Sequence, residues 1–311
     1  MTIKKHCRVG TRSSQLALWQ TRHVIAELEK RFPETAFEVV EMSTKGDRIL
    51  NQALSAIGDK GLFTRDLEDA MHSGAIDFAV HSLKDMPTLL PDGLGLTAML
   101  SREDPRDALL AKNGITDVMD LPQQAIVGTS SLRRKAQLLA LRPDLDIRDL
   151  RGNVQTRIRK FTEGPFHAAI LASAGLKRME MDEHIVAYLP TEQFIPAVGQ
   201  GIVVVESRLD DEDMLEMLAQ VNDRSAATCA QAERAFMRRL EGGCQVPIGA
   251  LAHIKDKHLT VRGFLGRVDG SEVIVKEKQG LISDAEAVGT ALAEDMLSGA
   301  GQSILAAIRE E

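Results

Sequence analysis

Aromatic residues are scarce in this chain: one tryptophan, one tyrosine and nine phenylalanines among 311 residues. Proteins that hold single-stranded nucleic acid stack its bases on aromatic side chains, so this scarcity speaks against such a surface. Positive charge is also in deficit, with 38 Lys and Arg against 45 Asp and Glu and a formal net charge of −7. A generally basic, DNA-binding face is therefore not expected, and any anion site must be local. The three cysteines, Cys7, Cys229 and Cys244, are too few and too scattered for a disulfide framework and fit a reducing compartment. The eight histidines include no His-x-x-x-His spacing and there is no Cys-x-x-Cys, so no metal is expected. No apolar run approaches the length that spans a bilayer. The first residues, MTIKKHCRVGTRSSQLALW, reach Arg8 and Arg12 without a signal-peptide core. Neither nucleic acid nor membrane is expected as a partner, and the cytoplasm is the expected location.

What is present is 44% hydrophobic sequence, enough to bury substantial cores in two or three domains. Short β-branched runs alternate with longer amphipathic segments through the first two-thirds, a pattern that predicts βαβ units with largely parallel, doubly wound sheets. HCRVGT predicts a strand, SQLALWQTRHVIAELEKRF a helix, FEVVEMST a strand, FTRDLEDAMHSG a helix and AIDFAVHSL a strand. Turn-forming residues beside apolar strands mark boundaries near 101–109 and 194–206. After about residue 218 the pattern changes to a helix, three strands of an antiparallel sheet and a closing helix, which predicts a smaller α+β domain.

A weak internal echo relates VGTRSSQLAL at residues 9–18 to VGTSSLRRKAQLL at 127–139. Each reads as a strand ending in Gly-Thr followed by hydroxyl residues that can cap a helix, where free N–H groups and the helix dipole favour an anion. Between Arg133 and Lys160 stand nine basic residues against three acidic ones, a local charge of +6. Some of these are ordinary solvated surface. The planar fork of arginine grips carboxylate or phosphate bidentately, so arginines at GTSSLRR and DLRGNVQTR suit a small ligand bearing several acidic groups.

In FAVHSLKDMP, His81, Lys84 and Asp85 follow a buried-type strand, where the carboxyl ends of strands in open α/β sheets face a ligand crevice. A carboxylate there is placed for proton transfer or for stabilising a cation, whereas His81 reads as a structural hydrogen-bonding residue. The run GDKGLFTRDLE lacks the spacing of a phosphate-binding P-loop, and Lys60 within it is either a ligand contact or a solvated lysine. EGGCQVPIG, residues 241–249, sets Cys244 on a glycine-rich loop where a thiol is reachable.

Taken in order, TRSSQLALWQ, KGDR, DKGLFT, DFAVHSLKDMP, REDPRDAL, GTSSLRRKAQL, RGNVQTR, LASAGLKR, PAVGQG, AERAF and EGGCQVPIGA resemble the porphobilinogen deaminase family almost end to end. The resemblance implies three domains: two similar doubly wound α/β domains like those of two-lobed solute-binding proteins, at 1–100 with 200–217 and at 101–199, and a smaller α+β domain at 218–311. It implies a dipyrromethane cofactor tethered to Cys244 by a thioether, and porphobilinogen as substrate of a monomeric transferase of tetrapyrrole biosynthesis. It implies Asp85 as the catalytic residue and as a cofactor contact. Lys84, Thr129, Ser130, Ser131, Arg133, Arg134 and Arg151 are implied as further cofactor contacts. Arg12, Ser14, Lys60, Arg151, Arg157 and Arg178 are implied as substrate contacts. One departure is LSAIGDKGLFT, where Ala56 stands for a common lysine and Asp59 for a common glycine, removing one cation and adding an acid. The alternative from another class is a two-lobed module that binds small anions without catalysis.

Overall fold

The structure, a computed structural model, describes residues 4–44, 64–240 and 246–310. In chain order it begins with β1 (His6–Arg12), α1 (Gln15–Glu29), β2 (Ala36–Met42), α2 (Arg65–His72), β3 (Phe78–Ser82) and β4 (Leu94–Met99). There follow β5 (Asp107–Ala111), β6 (Ile126–Gly128), α3 (Leu132–Leu141), β7 (Asp146–Arg148), α4 (Val154–Glu163), β8 (Ala168–Ala172), α5 (Ser173–Arg178) and β9 (Ala187–Tyr188). The remainder is β10 (Val203–Arg208), α6 (Glu212–Ala219), α7 (Arg224–Arg239), β11 (Ile248–Lys255), β12 (His258–Gly266), β13 (Val273–Leu281), α8 (Ala285–Met296) and α9 (Gln302–Glu310). The chain groups into two compact units, Met1–Glu103 with Gly201–Ala227, and Asp104–Gln200 with Thr228–Glu311.

The first unit is built on a five-stranded sheet in the order β2-β1-β3-β10-β4. Strand β1 runs parallel to β2 and β3, while β10 is antiparallel to both β3 and β4. Helix α1 buries Thr21, Val24, Ile25 and Leu28, the three-and-four spacing that makes one face of a helix. That face joins Cys7, Val9, Phe78, Val80, Val203 and Val205 of the sheet and Met214, Met217 and Leu218 of α6. On the opposite side Leu67 and Met71 of α2 pack with Ile76, Ala79 and Leu94. Apolar cover on both sides explains why the central strands are apolar runs instead of alternating ones.

The second unit repeats the plan. Its five-stranded sheet has the order β7-β6-β8-β5-β9, with β6 parallel to β7 and β8, and β5 antiparallel to β8 and β9. The internal echo in the sequence is the β1–α1 and β6–α3 pair of corners. Ser14 Oγ accepts from the Ala17 N–H at 3.3 Å to cap α1, and Ser131 Oγ accepts from the Arg134 N–H at 3.4 Å to cap α3. The largely parallel pattern predicted from sequence holds, with one reversed strand in each sheet. Strands β5 and β10 are the exceptions because neither is reached through a right-handed βαβ crossover from its neighbours.

The same unit contains the antiparallel sheet β11-β12-β13. Its core gathers Phe236 and Leu240 of the α7 segment, Ala250, Val261 and Leu265 of the sheet, and Leu292, Met296 and Ile304 of the terminal helices. Helices α7 and α8 meet at Gly289, where a methyl group would run into the Ala232 carbonyl oxygen. Since both partners at that crossing are helix backbone, neither side can yield. Gly289→Ala is expected to lower stability by about 2 kcal/mol in urea unfolding, and an unchanged midpoint would contradict that close approach.

Candidate functional site

In the first unit the polypeptide leaves β3 through a tight 3-10 turn, Leu83–Asp85. Leu83 and Met86 are buried on either side of it, and the Leu83 N–H donates to Ile202 O at 3.0 Å while the Met86 N–H donates back to Leu83 O at 3.1 Å. Two buried anchors thus present the intervening Lys84 and Asp85 to solvent. Gln20, buried in α1, donates through Nε2 to Ser82 Oγ at 2.8 Å and ties that helix to the base of the turn. His81 is buried, with Nε2 3.1 Å from Glu206 Oε2 of β10 but without hydrogen-bond geometry between them, so the hydrogen-bonding role expected from its sequence setting is not met by this contact. Glu68 of α2 is also buried; burial raises its pKa and the Glu206 charge adds to it. Arg12 closes β1, half-buried, just ahead of the capping Ser14.

The second unit holds most of the other expected contacts. At the head of α3, Thr129 Oγ1 accepts from the Ser131 N–H at 3.2 Å and Ser130 Oγ accepts from the Leu150 N–H at 3.1 Å, so the three hydroxyls also shape the turn. Arg133 and Arg134 are almost wholly buried and share one carboxylate, that of Asp107 at the start of β5. Arg134 spends Nε and one terminal nitrogen on Asp107 Oδ1 at 2.9 and 2.6 Å and the other on Ile170 O at 2.9 Å. Arg133 reaches Asp107 Oδ2 at 2.8 Å and Ile195 O at 2.6 Å through one terminal nitrogen, while its buried Nε has no partner among the described residues. Gln200 Nε2 also donates to Asp107 Oδ1 at 3.0 Å.

Burial alone would raise the Asp107 carboxyl, but the two guanidiniums outweigh it and hold it well below the usual carboxylate range. For Arg133 burial works in the opposite sense, lowering its pKa against the pull of Asp107. Two guanidiniums on one carboxylate leave one positive charge in excess in a dry place. An uncompensated buried charge is costly, and a ligand carboxylate would offset it. The residues present therefore fit a group bearing acidic side chains, since Arg134 gives three of its five N–H groups to protein acceptors and Arg133 gives fewer.

Around this core, Arg157 Nε donates to Gly152 O at 2.7 Å, Arg151 lies 3.6 Å from Asp149, and Arg178 sits in the last turn of α5. All three are half-buried. Other members of the basic cluster do structural work: Arg142 grips Asp144 and the carbonyls of Val118, Met119, Leu121 and Pro122, and Arg148 pairs with Asp146.

Lys60, Ala56, Asp59 and Cys244 lie outside the described residues. The elements on either side of 241–245, α7 and β11, are described. Near the start of β11, a methyl group on Gly249 would come within 2.8 Å of Pro196 O and 3.0 Å of Arg133 Cδ, so only glycine lets this strand lie so close to the arginine pair. The Ala250 N–H donates to Pro196 O at 3.1 Å. Cys7 and Cys229 are buried, and burial, reinforced by Asp77, pushes the Cys7 thiol up to about 11. Iodoacetamide at pH 8 should therefore leave Cys7 and Cys229 unmodified in the native chain, as read by peptide mass mapping, and their modification at the rate of a free thiol would contradict this burial. Sequence reasoning missed Asp107, Gln20 and Glu206. An acid or amide embedded in an apolar run, as in PRDALL and IVVVES, was the available signal.

Among the described residues no cluster of His, Cys, Asp and Glu could hold a metal, and no helix is long and apolar enough to cross a membrane. The family model described as "Porphobilinogen deaminase, dipyromethane cofactor binding domain" matches residues 7–216, and that described as "Porphobilinogen deaminase, C-terminal domain" matches 227–298. The porphobilinogen deaminase of Geobacter sulfurreducens is 49% identical over 301 residues, covering 97% of this chain and 94% of that one. That of Syntrophomonas wolfei is 48% identical over 306 residues, covering 98% and 100%. Among solved structures, the periplasmic aliphatic sulphonate binding protein SsuA from Escherichia coli is similar at a TM-score of 0.44 and 13% identity, covering 94% of this chain and 87% of that one. With two family models matched along most of its length and near half of its residues shared with these relatives, the chain belongs to the porphobilinogen deaminase family.

Proposed function

We propose that the chain condenses four porphobilinogen molecules head to tail on a covalent dipyrromethane primer, releasing ammonia at each step, and then frees hydroxymethylbilane by hydrolysis. The observation that carries this is the buried Arg133–Asp107–Arg134 group, whose excess positive charge calls for an acidic ligand, in a chain of this family. The primer supplies a nucleophilic terminal pyrrole carbon and is tethered to Cys244. Each pyrrole carries an acetate and a propionate; Arg133, Arg134 and Arg151 with Lys84, Thr129, Ser130 and Ser131 hold those of the primer. Arg12, Ser14, Lys60, Arg151, Arg157 and Arg178 hold those of the incoming substrate.

Asp85 is the catalytic residue. Loss of ammonia leaves a cationic methylene-pyrrolenine, and attack on it creates a second cation. A fixed carboxylate beside the pyrrole N–H groups stabilises both and takes the proton that restores aromaticity. The clamped turn between Leu83 and Met86 holds the backbone that carries Asp85, which supports a preorganised role for its carboxylate. The three sheets act as three domains of a cytoplasmic monomer that needs neither nucleic acid nor membrane. A binding module without catalysis would leave the Gly-Gly-Cys sequence without a task.

Intact mass tests the tether. The purified chain should be heavier than its sequence by one dipyrromethane, and Cys244→Ser should remove the addition. An active wild-type preparation of unmodified mass would sink the assignment.

A further inference from the structure

Eleven residues before Cys244, the carboxylate of Glu233 in α7 is fully buried and accepts two backbone N–H groups from two other parts of the second unit. Oε2 takes the Gly199 N–H at 2.7 Å and Oε1 takes the Ala252 N–H of β11 at 2.8 Å. The segment 195–200 is thereby pinned on both sides. Gln137 brackets Ile195 through its N–H at 2.7 Å and its carbonyl at 3.0 Å, and Arg133 holds the same carbonyl. On the other side the segment takes the Ala250 N–H on Pro196 O and gives the Gly199 N–H to Glu233.

Helix α7 and strand β11 are the two elements on either side of residues 241–245, so one carboxylate fastens both to the backbone that Arg133 also grips. A carboxylate suits this post better than an amide, since it offers an acceptor to each N–H. Glutamine would offer one acceptor and turn an NH2 donor against the other N–H.

Resting on the function proposed above, we propose that Glu233 is a positioning residue for cofactor loading, fastening α7 and β11 to the backbone that the carboxylate-binding Arg133 grips. Loading from the substrate itself is balanced: the Cys244 S–H and the aminomethyl C–N bond of porphobilinogen break, S–C and N–H bonds form, and ammonia leaves. A second porphobilinogen adds to the first with loss of a second ammonia. Glu233 takes no part in these bonds; it holds α7 and β11 to the backbone gripped by the arginine that receives the anionic substrate.

The test uses full-length apoprotein, made in cells deprived of porphobilinogen, and follows mass gain after porphobilinogen is added. Glu233→Gln is expected to slow loading about tenfold, as a misplaced reacting group does. Gly263→Ala serves as the structural control. Its added methyl would meet the Phe236 ring of α7 at 2.6 Å and weaken the same three-stranded sheet while leaving Glu233 and its two backbone donors chemically unchanged. That variant should load within about twofold of wild type even where its melting temperature falls as far. If Glu233→Gln does not fold, Glu233→Asp, which keeps the charge but is one methylene too short to reach both N–H groups, should load slowly instead. Loading of the folded Glu233 variants at the wild-type rate, or equal slowing in the Gly263→Ala control, would overturn the proposal. Wild-type apoprotein that gains no mass would instead reject the tether on Cys244.

Discussion

Asp85→Asn is expected to fold normally and to lose about 10³-fold in kcat, the scale on which removal of one preorganised electrostatic group is felt. The side chain is exposed between buried Leu83 and Met86, so the substitution leaves both anchors, and the backbone hydrogen bonds of the turn, in place. Asparagine matches aspartate in shape but carries no charge and is no base, so what disappears is the stabilisation of cationic pyrrole. Ammonia release should therefore fall steeply while the melting temperature stays within a few degrees of wild type. Because the carboxylate acts on charge that develops in the transition state, the loss should appear in kcat more than in KM. Turnover near the wild-type rate would remove Asp85 from the catalytic role.

The largest effect on stability is expected from Asp107→Asn. This change leaves Arg133 and Arg134 side by side in the interior with no counter-charge, and breaking a buried pair from one side costs about 4 kcal/mol. Replacing it should also slow primer loading, since the two forks lose the group that aims them. The pH dependence has a definite sign. The folded carboxyl is held below its unfolded value, so its contribution is fully present above the unfolded pKa of about 3.9 and is lost as pH falls further toward the folded value. The gap in urea stability between wild type and Asp107→Asn should be widest near neutrality and should narrow below about pH 4. A gap that is constant down to pH 2 would show that the carboxylate charge is not what holds the arginines.

Features written in a few neighbouring residues were legible from sequence. The caps Ser14 and Ser131, the alternation of β1, α1 and β2, and the antiparallel β11–β13 sheet all follow from local spacing and turn chemistry. Contacts between distant residues were not. Arg133 and Arg134 read as contacts for an acidic ligand, but their burial on a protein carboxylate was not visible in sequence. The partner that draws them inside, Asp107, lies 26 and 27 residues away on a strand whose other members are apolar. Glu233 and Glu206 were hidden for the same reason: a carboxylate on a helix or strand reads as solvated until the backbone or histidine that receives it is located.

The reversed strand β10 has a consequence for how the protein is made. It fills the gap between β3 and β4, yet lies about a hundred residues after them. A ribosome therefore delivers every strand of the β7-β6-β8-β5-β9 sheet, from Asp107 to Tyr188, before it delivers the one that closes the first sheet. The amino-terminal sheet, begun first, is completed second, and β3, which leads into the turn carrying Asp85, waits with an open edge until residue 203 emerges. The order of synthesis thus runs opposite to the order of closure, and Asp85 is among the early-made residues whose surroundings are set late.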